Sequence, residues 1–130
     1  MNNSRYTDLD KIKQNGDYDF YGIIYDATYP TKENDSDNAN YICAIKVLGP
    51  GSNWITNPDT FQQETIYIII KSNSIDYLPH IRSIGNIIRI HRGIFRPKNR
   101  KNIYLNLTNI SMLKSSWVVF SCKKLIIKNI

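Results

Sequence analysis

Eleven Lys and Arg lie between positions 77 and 130, a stretch that holds no Asp or Glu. The first 76 residues carry all eleven acids against six bases, so the formal +6 is −5 on one segment and +11 on the other. A field this divided attracts polyanions: DNA, RNA or an anionic membrane surface. Its densest part, Arg89 to Lys101, is threaded through strand-like sequence rather than a tail. Catalytic chemistry finds little to work with. His80 and His91 are separated by a helix and a turn, with no Cys or carboxylate at metal-ligand spacing. Asp17, Asp19 and Asp26 alternate with aromatics and have no His or Lys beside them to complete a metal-dependent nuclease. No Gly-rich phosphate loop occurs. Cys43 and Cys122, 79 positions apart, read as buried small hydrophobes of a reducing compartment. Neither an enzymatic activity nor a cofactor or metal is expected.

The elements that position these residues follow from periodicity. At 130 residues and 42% hydrophobic content the chain is sized for one compact domain. Residues 1–18 are a polar lead-in with a short helical turn around Asp8–Gln14. Phe20–Ala27 is the first strand, with Gly22 where it coils sharply or bulges. A polar loop runs from Tyr29-Pro30 to Asn40, and Tyr41–Val47 is the second strand, stopped by Gly49-Pro50-Gly51. Thr65–Lys71 is the third, β-branched nearly throughout and expected to be buried on both faces. Ser72–Gly85 breaks the pattern: Ser74 is a candidate N-cap, Ile75, Leu78 and Ile81 fall near helical spacing, and Pro79 keeps the helix short. Asn86–Arg96 returns to alternation, with Ile88, Ile90 and Ile94 assigned to one face. Pro97–Asn102 is a basic turn, Ile103–Ile110 the fifth strand and Ser115–Phe120 an apolar closing segment. Three strands, a helix and two strands is the order of a five-stranded OB-fold barrel, all-β with a short helix between strands three and four. The polar start carries no secretory signal and the longest apolar runs are too short to span a bilayer, so a soluble intracellular protein is expected.

Three blocks carry a resemblance. Asp19-Phe20-Tyr21-Gly22-Ile23-Ile24-Tyr25-Asp26-Ala27-Thr28 followed by Tyr41-Ile42-Cys43, then Leu78-Pro79 with Gly85-Asn86-Ile87-Ile88-Arg89-Ile90-His91-Arg92, and finally Ser115-Ser116-Trp117-Val118-Val119-Phe120-Ser121, resemble the first OB-fold of the ciliate telomere end-binding protein alpha subunits and the related protection-of-telomeres proteins. The blocks cover most of residues 19–121 in order. The resemblance implies an OB-fold over residues 19–122, with residues 123–130 as a basic tail, that binds the single-stranded G-rich 3′ overhang in the nucleus for chromosome-end protection or telomere replication. It also implies a beta-type telomere protein subunit or telomerase-associated proteins as partners. Alpha subunits continue into further OB-folds that 130 residues cannot contain, so the chain reads as a shortened paralogue or an excised domain.

Single strands are held by basic grooves that track phosphates and by aromatic faces on which bases stack, at ~1–3 kcal/mol per base. Arg89, His91, Arg92, Arg96, Lys98, Arg100 and Lys101 supply charge. Alternation separates Arg89 and His91 from Arg92 unless a bulge intervenes; by resemblance, Arg92 lies against the strand. The family's loop between strands one and two carries DNA contacts, and here it matches Asp26, Thr28, Tyr29 and Lys32. Tyr29 before Pro30 is a stacking platform, Lys32 reaches a phosphate or guanine O6 and N7, and Asp26 accepts from a guanine amine. Tyr41 opens strand two beside that loop, and Tyr104 is the groove member of the Tyr104-Leu105 alternation. Trp54 lies in a connector and Trp117 in the core. Where related proteins carry a stacking aromatic at the end of strand three, this chain has Lys71. The expected DNA-binding set is thus Asp26, Thr28, Tyr29, Lys32, Tyr41, Lys71, His91, Arg92, Arg96, Lys98 and Tyr104. Alternatives are an OB-fold protein-interaction module, or a general single-stranded DNA or RNA binder without telomeric preference.

Overall fold

Isoleucine writes most of the core in alternate letters. In Ile66–Ser72 the odd-step residues Ile66, Ile68, Ile70 and Ser72 are buried while Tyr67, Ile69 and Lys71 are half exposed, the period of two that a pleated strand imposes. The computed structural model describes residues 5–33, 40–49, 66–96, 102–107 and 116–121. The strands are β1 (Gly16–Ala27), β2 (Thr31–Lys32), β3 (Tyr41–Leu48), β4 (Ile66–Ser72), β5 (Ile87–Phe95), β6 (Asn102–Asn106) and β7 (Trp117–Phe120). Single turns of 3-10 helix lie at Leu9–Lys11 and Ile75–Tyr77.

Five strands close in the order β1-β3-β4-β6-β5 and back to β1. The β4–β6 pair is parallel and the other pairs antiparallel. This is the expected OB-fold barrel, in which closure leaves the inward positions of every strand to form one core. Phe20, Ile24, Ile45, Ile68, Ile88, Ile90, Phe95 and Ile103 fill it. β2 extends the edge of β3, and β7 pairs with the first half of β5. Gly22 marks close packing: a Cβ there would come within 2.8 Å of the Val47 Cβ.

Five expectations are corrected. The helix between the third and fourth strands is only the three-residue turn Ile75–Tyr77. Pro79 explains this, because it forces the preceding residue toward extended backbone, and Leu78 sits at φ −97°, ψ 147°. Ser74 makes no side-chain cap; its amide instead donates to Ser72 Oγ at 3.1 Å. β4 is not buried on both faces: in a closed barrel its outer residues Tyr67, Ile69 and Lys71 are left half exposed. The first strand starts at Gly16, and the lead-in before it contributes Leu9 and Ile12 to the core. Finally Ile94 points outward, with Gly93 and Phe95 inward, for a reason that also positions the site.

Cys43 is buried, and burial pushes its thiol up to about 12. Trp117 packs against the core while its indole Nε1–H donates to the Tyr77 carbonyl at 2.9 Å. Trp54 and Cys122 lie outside the described residues.

Candidate nucleic-acid interface

Two bulges decide which side chains face solvent. On β1, Ile24 pairs with Val47 but Asp26 pairs with Lys46, so Tyr25 is an extra residue. Strict alternation after Phe20, Gly22 and Ile24 would have turned Asp26 into the core. The bulge turns Ala27 inward instead and leaves Asp26 exposed beside Lys46. On β5, Tyr18 pairs with Gly93 and Phe20 with Ile90, so Asp19 faces two residues, His91 and Arg92. Arg92 takes the left-handed conformation, φ 60°, which is costly for a residue with a Cβ. Its amide donates to Asp19 Oδ1 at 2.8 Å, which holds the bulge in place. Arg92 therefore shares the outer side with Arg89 and His91, and Ile94 and Arg96 follow it outward. A Cβ on Gly93 would lie 2.5 Å from Ile103 Cγ2, so the re-phased strand has room there only for glycine.

The outer face of β3, β4 and β6 is built in three rows. Asp26, Lys46, Tyr67 and Asn102 are successive cross-strand partners. Ala44, Ile69 and Tyr104 form the next row, and Ile42, Lys71 and Asn106 the third. Thr28 joins the middle row at the strand edge: its amide donates to the Ala44 carbonyl and its hydroxyl accepts from the Ala44 amide, both at 2.9 Å. Lys46 Nζ lies 5.2 Å from the centre of the Tyr67 ring and 5.8 Å from that of Tyr25. Contact with Tyr67, then with Tyr25, raises its pKa and keeps it charged. A groove of about 300 Å³ between Ile42, Ile69 and Tyr104 continues the face, and Lys71 closes its rim in an ion pair with Glu33, Nζ to Oε2 3.0 Å.

The structure thus brings Asp26, Thr28, Lys71 and Tyr104 together on one face. Tyr29, 67% exposed, lies in the segment between β1 and β2, and Lys32 on β2 pairs with Tyr41, so it has the phase of that residue rather than of Ile42. Ile94 pairs with Tyr104, which brings the outward residues of the second half of β5, Arg92 and Arg96 among them, to the β6 side of that face. Tyr41 is set apart: it has the phase of Cys43 and packs against the core. His91 is set apart too, on the stretch of β5 between β1 and β7. There the chain's start lies along β1 as an isolated bridge from Tyr6 to Asp19. The Tyr6 hydroxyl is 2.9 Å from His91 Nε2, and the Tyr6 and Tyr21 rings are 4.7 Å apart. Arg5 Nε donates to Asp19 Oδ2 at 2.7 Å. Burial raises the Asp19 pKa, but the Arg92 amide and the Arg5 guanidinium together hold it below its ordinary value. Lys98 lies outside the described residues.

This barrel, with its polar and aromatic outer face, was compared with known proteins. The family model described as telomeric single stranded DNA binding POT1/CDC13 matches residues 1–128. The chain belongs to this family. It is similar to the telomere-binding protein subunit alpha of Stylonychia mytilus, 32% identical over 81% of the chain and 20% of the relative. It is also similar to the telomere-binding protein 51 kDa subunit of Euplotes crassus, 30% identical over 89% of the chain and 24% of the relative. The chain spans about a fifth to a quarter of the length of the curated relatives it matches.

Sequence reasoning missed Lys46 and Tyr67, which stand beside Asp26 in the first row of the face in this POT1/CDC13 member. The signal was present. With Cys43, Ile45 and Val47 inward, Lys46 must be outward; reading TIYIIIK as doubly buried concealed Tyr67. Arg5, Tyr6 and Tyr21 were missed because their partners are distant in sequence, Tyr6 lying 85 residues from His91. Among the described residues, no three His, Cys, Asp or Glu are grouped to hold a metal, and no helix is long and apolar enough to cross a membrane.

Proposed function

We propose that this domain binds single-stranded, G-rich telomeric DNA along the outer face of β3, β4 and β6, at chromosome ends in the nucleus. The observation that carries the reading is the family match across residues 1–128. The face supports it with the two ingredients single strands need: exposed rings at Tyr29 and Tyr104, and cations at Lys46, Arg92 and Arg96, with Lys32 at the neighbouring hairpin. Asp26 stands beside Lys46, an acceptor next to a donor, suited to the edge of a base rather than to a phosphate. A beta-type telomere protein subunit and telomerase-associated proteins are the protein partners that this reading puts forward.

Fluorescence anisotropy with a labelled G-rich telomeric repeat, a scrambled strand and the matching RNA tests the proposal. Tighter binding to the repeat than to the scramble is expected. Equal affinity for the two removes telomeric specificity, and no binding at low salt removes nucleic-acid binding and leaves a protein-interaction barrel. RNA bound as tightly as DNA means the 2′-hydroxyl is tolerated.

A further inference from the structure

We infer that the Lys71–Glu33 pair is a guanine-reading device, a donor and an acceptor that together recognise the edge of one base. This rests on the reading of the β3–β4–β6 face as the DNA face. Lys71 stands on β4 between Ile42 and Asn106. Glu33 follows β2, with its amide donating to the Asn40 carbonyl at 2.7 Å, and its carboxylate meets Lys71 Nζ at 3.0 Å. A lysine alone in this position suits a phosphate. A carboxylate at contact distance cancels its charge and repels phosphate, so the pair favours a ligand group that is neutral and offers both an acceptor and a donor.

The surroundings fit a base. The pair borders the groove of about 300 Å³ floored by Ile42 and Ile69 and walled by Tyr104, which is 39% exposed. The Lys71 and Glu33 side chains are 35% and 34% exposed, so a strand in the groove can reach them. An ion pair this open to water is held weakly and rearranges at little cost. Guanine offers O6, an acceptor for an ammonium, next to N1–H and N2–H, two donors that one carboxylate accepts together. Adenine and cytosine set a ring-nitrogen lone pair against the carboxylate, and thymine offers a single donor between two carbonyls. The same chemistry fits guanine alone on all three atoms.

The test is anisotropy with the full chain and a G-rich telomeric repeat in which guanines are replaced one at a time. Inosine removes the N2 amine, and 6-thioguanine replaces O6 with a poorly accepting sulfur while keeping N1–H and the N2 amine. At one guanine position the wild type is expected to lose about tenfold in affinity with either analogue. Glu33→Gln abolishes the inosine penalty at that position, and Lys71→Met abolishes the 6-thioguanine penalty there; any penalty at other positions is unchanged. The inference is overturned if no position shows both penalties. It is equally overturned if Glu33→Gln tightens every strand alike with a steeper salt dependence, the behaviour of a charge that merely masks a phosphate contact. Wild-type binding to the repeat with unchanged variant profiles defeats this inference alone, whereas a wild type that binds no strand defeats the proposed function with it.

Discussion

The face of β3, β4 and β6 and the outer side of the β5 bulge draw on the same residue types, and the fold employs them differently. On the first, Lys46 sits against tyrosine rings, and Tyr104 accepts a local hydrogen bond from Asn102 Nδ2 at 3.1 Å with its ring open to solvent. On the second, Arg5 is bound to Asp19, Tyr6 to His91, and Tyr6 stacks beside Tyr21. A cation or ring already satisfied within the protein must give up that partner to meet a ligand. Charge and aromatic content therefore locate neither region's task. What distinguishes them is how much of each side chain's bonding capacity the fold has consumed. The open face is suited to recognition and the closed one to holding the barrel's first strand and bulge in place.

The sharpest way to break this division is Tyr104→Ala. It is expected to weaken binding of the telomeric repeat by about 1–3 kcal/mol, with an unchanged urea midpoint because the ring is largely outside the core. A stability loss equal to the binding loss would show that the open face is structural after all. Asp19→Ala probes the other side. It removes the acceptor of the Arg92 amide and of Arg5, and about 1–2 kcal/mol of stability should be lost in urea denaturation, at the lower end because the pair with Arg5 is exposed. If affinity fell as far as in Tyr104→Ala, the two regions would act as one.

The smallest effect is a pH dependence. Burial, then the charge of Arg89, lower the His91 pKa from its ordinary 6.5, against an opposing pull from Asp19. A histidine whose folded pKa is depressed binds fewer protons folded than unfolded. Its contribution is complete above the unfolded value and is lost as pH falls through the folded one. The urea midpoint should therefore decline gently between about pH 7 and pH 5, and His91→Gln should flatten that decline. Asp19 follows the same sign in a separate, more acidic window below its ordinary 3.8. A midpoint that rose on acidification would mean that His91 is stabilised as the cation.

Much of the barrel was legible because strand sequence alternates with a period of two and because strand order is tightly constrained. Tyr104 was placed correctly by alternation with Leu105, and Arg92 was recognised as needing a bulge to join Arg89 and His91. The bulges themselves were not legible. Neither Tyr25 nor Arg92 is a residue type that announces one, and Gly22, which does, lies on β1 between the two register shifts, in unbroken pairing with β5. What specifies the β5 bulge is an acceptor 73 residues away, the Asp19 carboxylate, and such a long-range partner leaves no local trace. The helix failed for the opposite reason. Apolar spacing over Ile75 to Ile84 pointed to a helix, and Pro79 together with the extended Leu78 overrode it.

The two extra residues have a consequence for inheritance. Each corresponds to one codon, and deleting either would restore plain alternation with every later side chain of its strand still on its present surface. Straightening the β5 bulge with all its residues kept would instead drive the side chains of Arg92 and Arg96 toward the oily interior and expose Phe95 to water, although no charge in the gene had changed. Descendants of this chain can therefore lose either extra residue without re-phasing its strand, whereas a one-residue deletion elsewhere in β1 or β5 keeps the phase only if the bulge is given up with it.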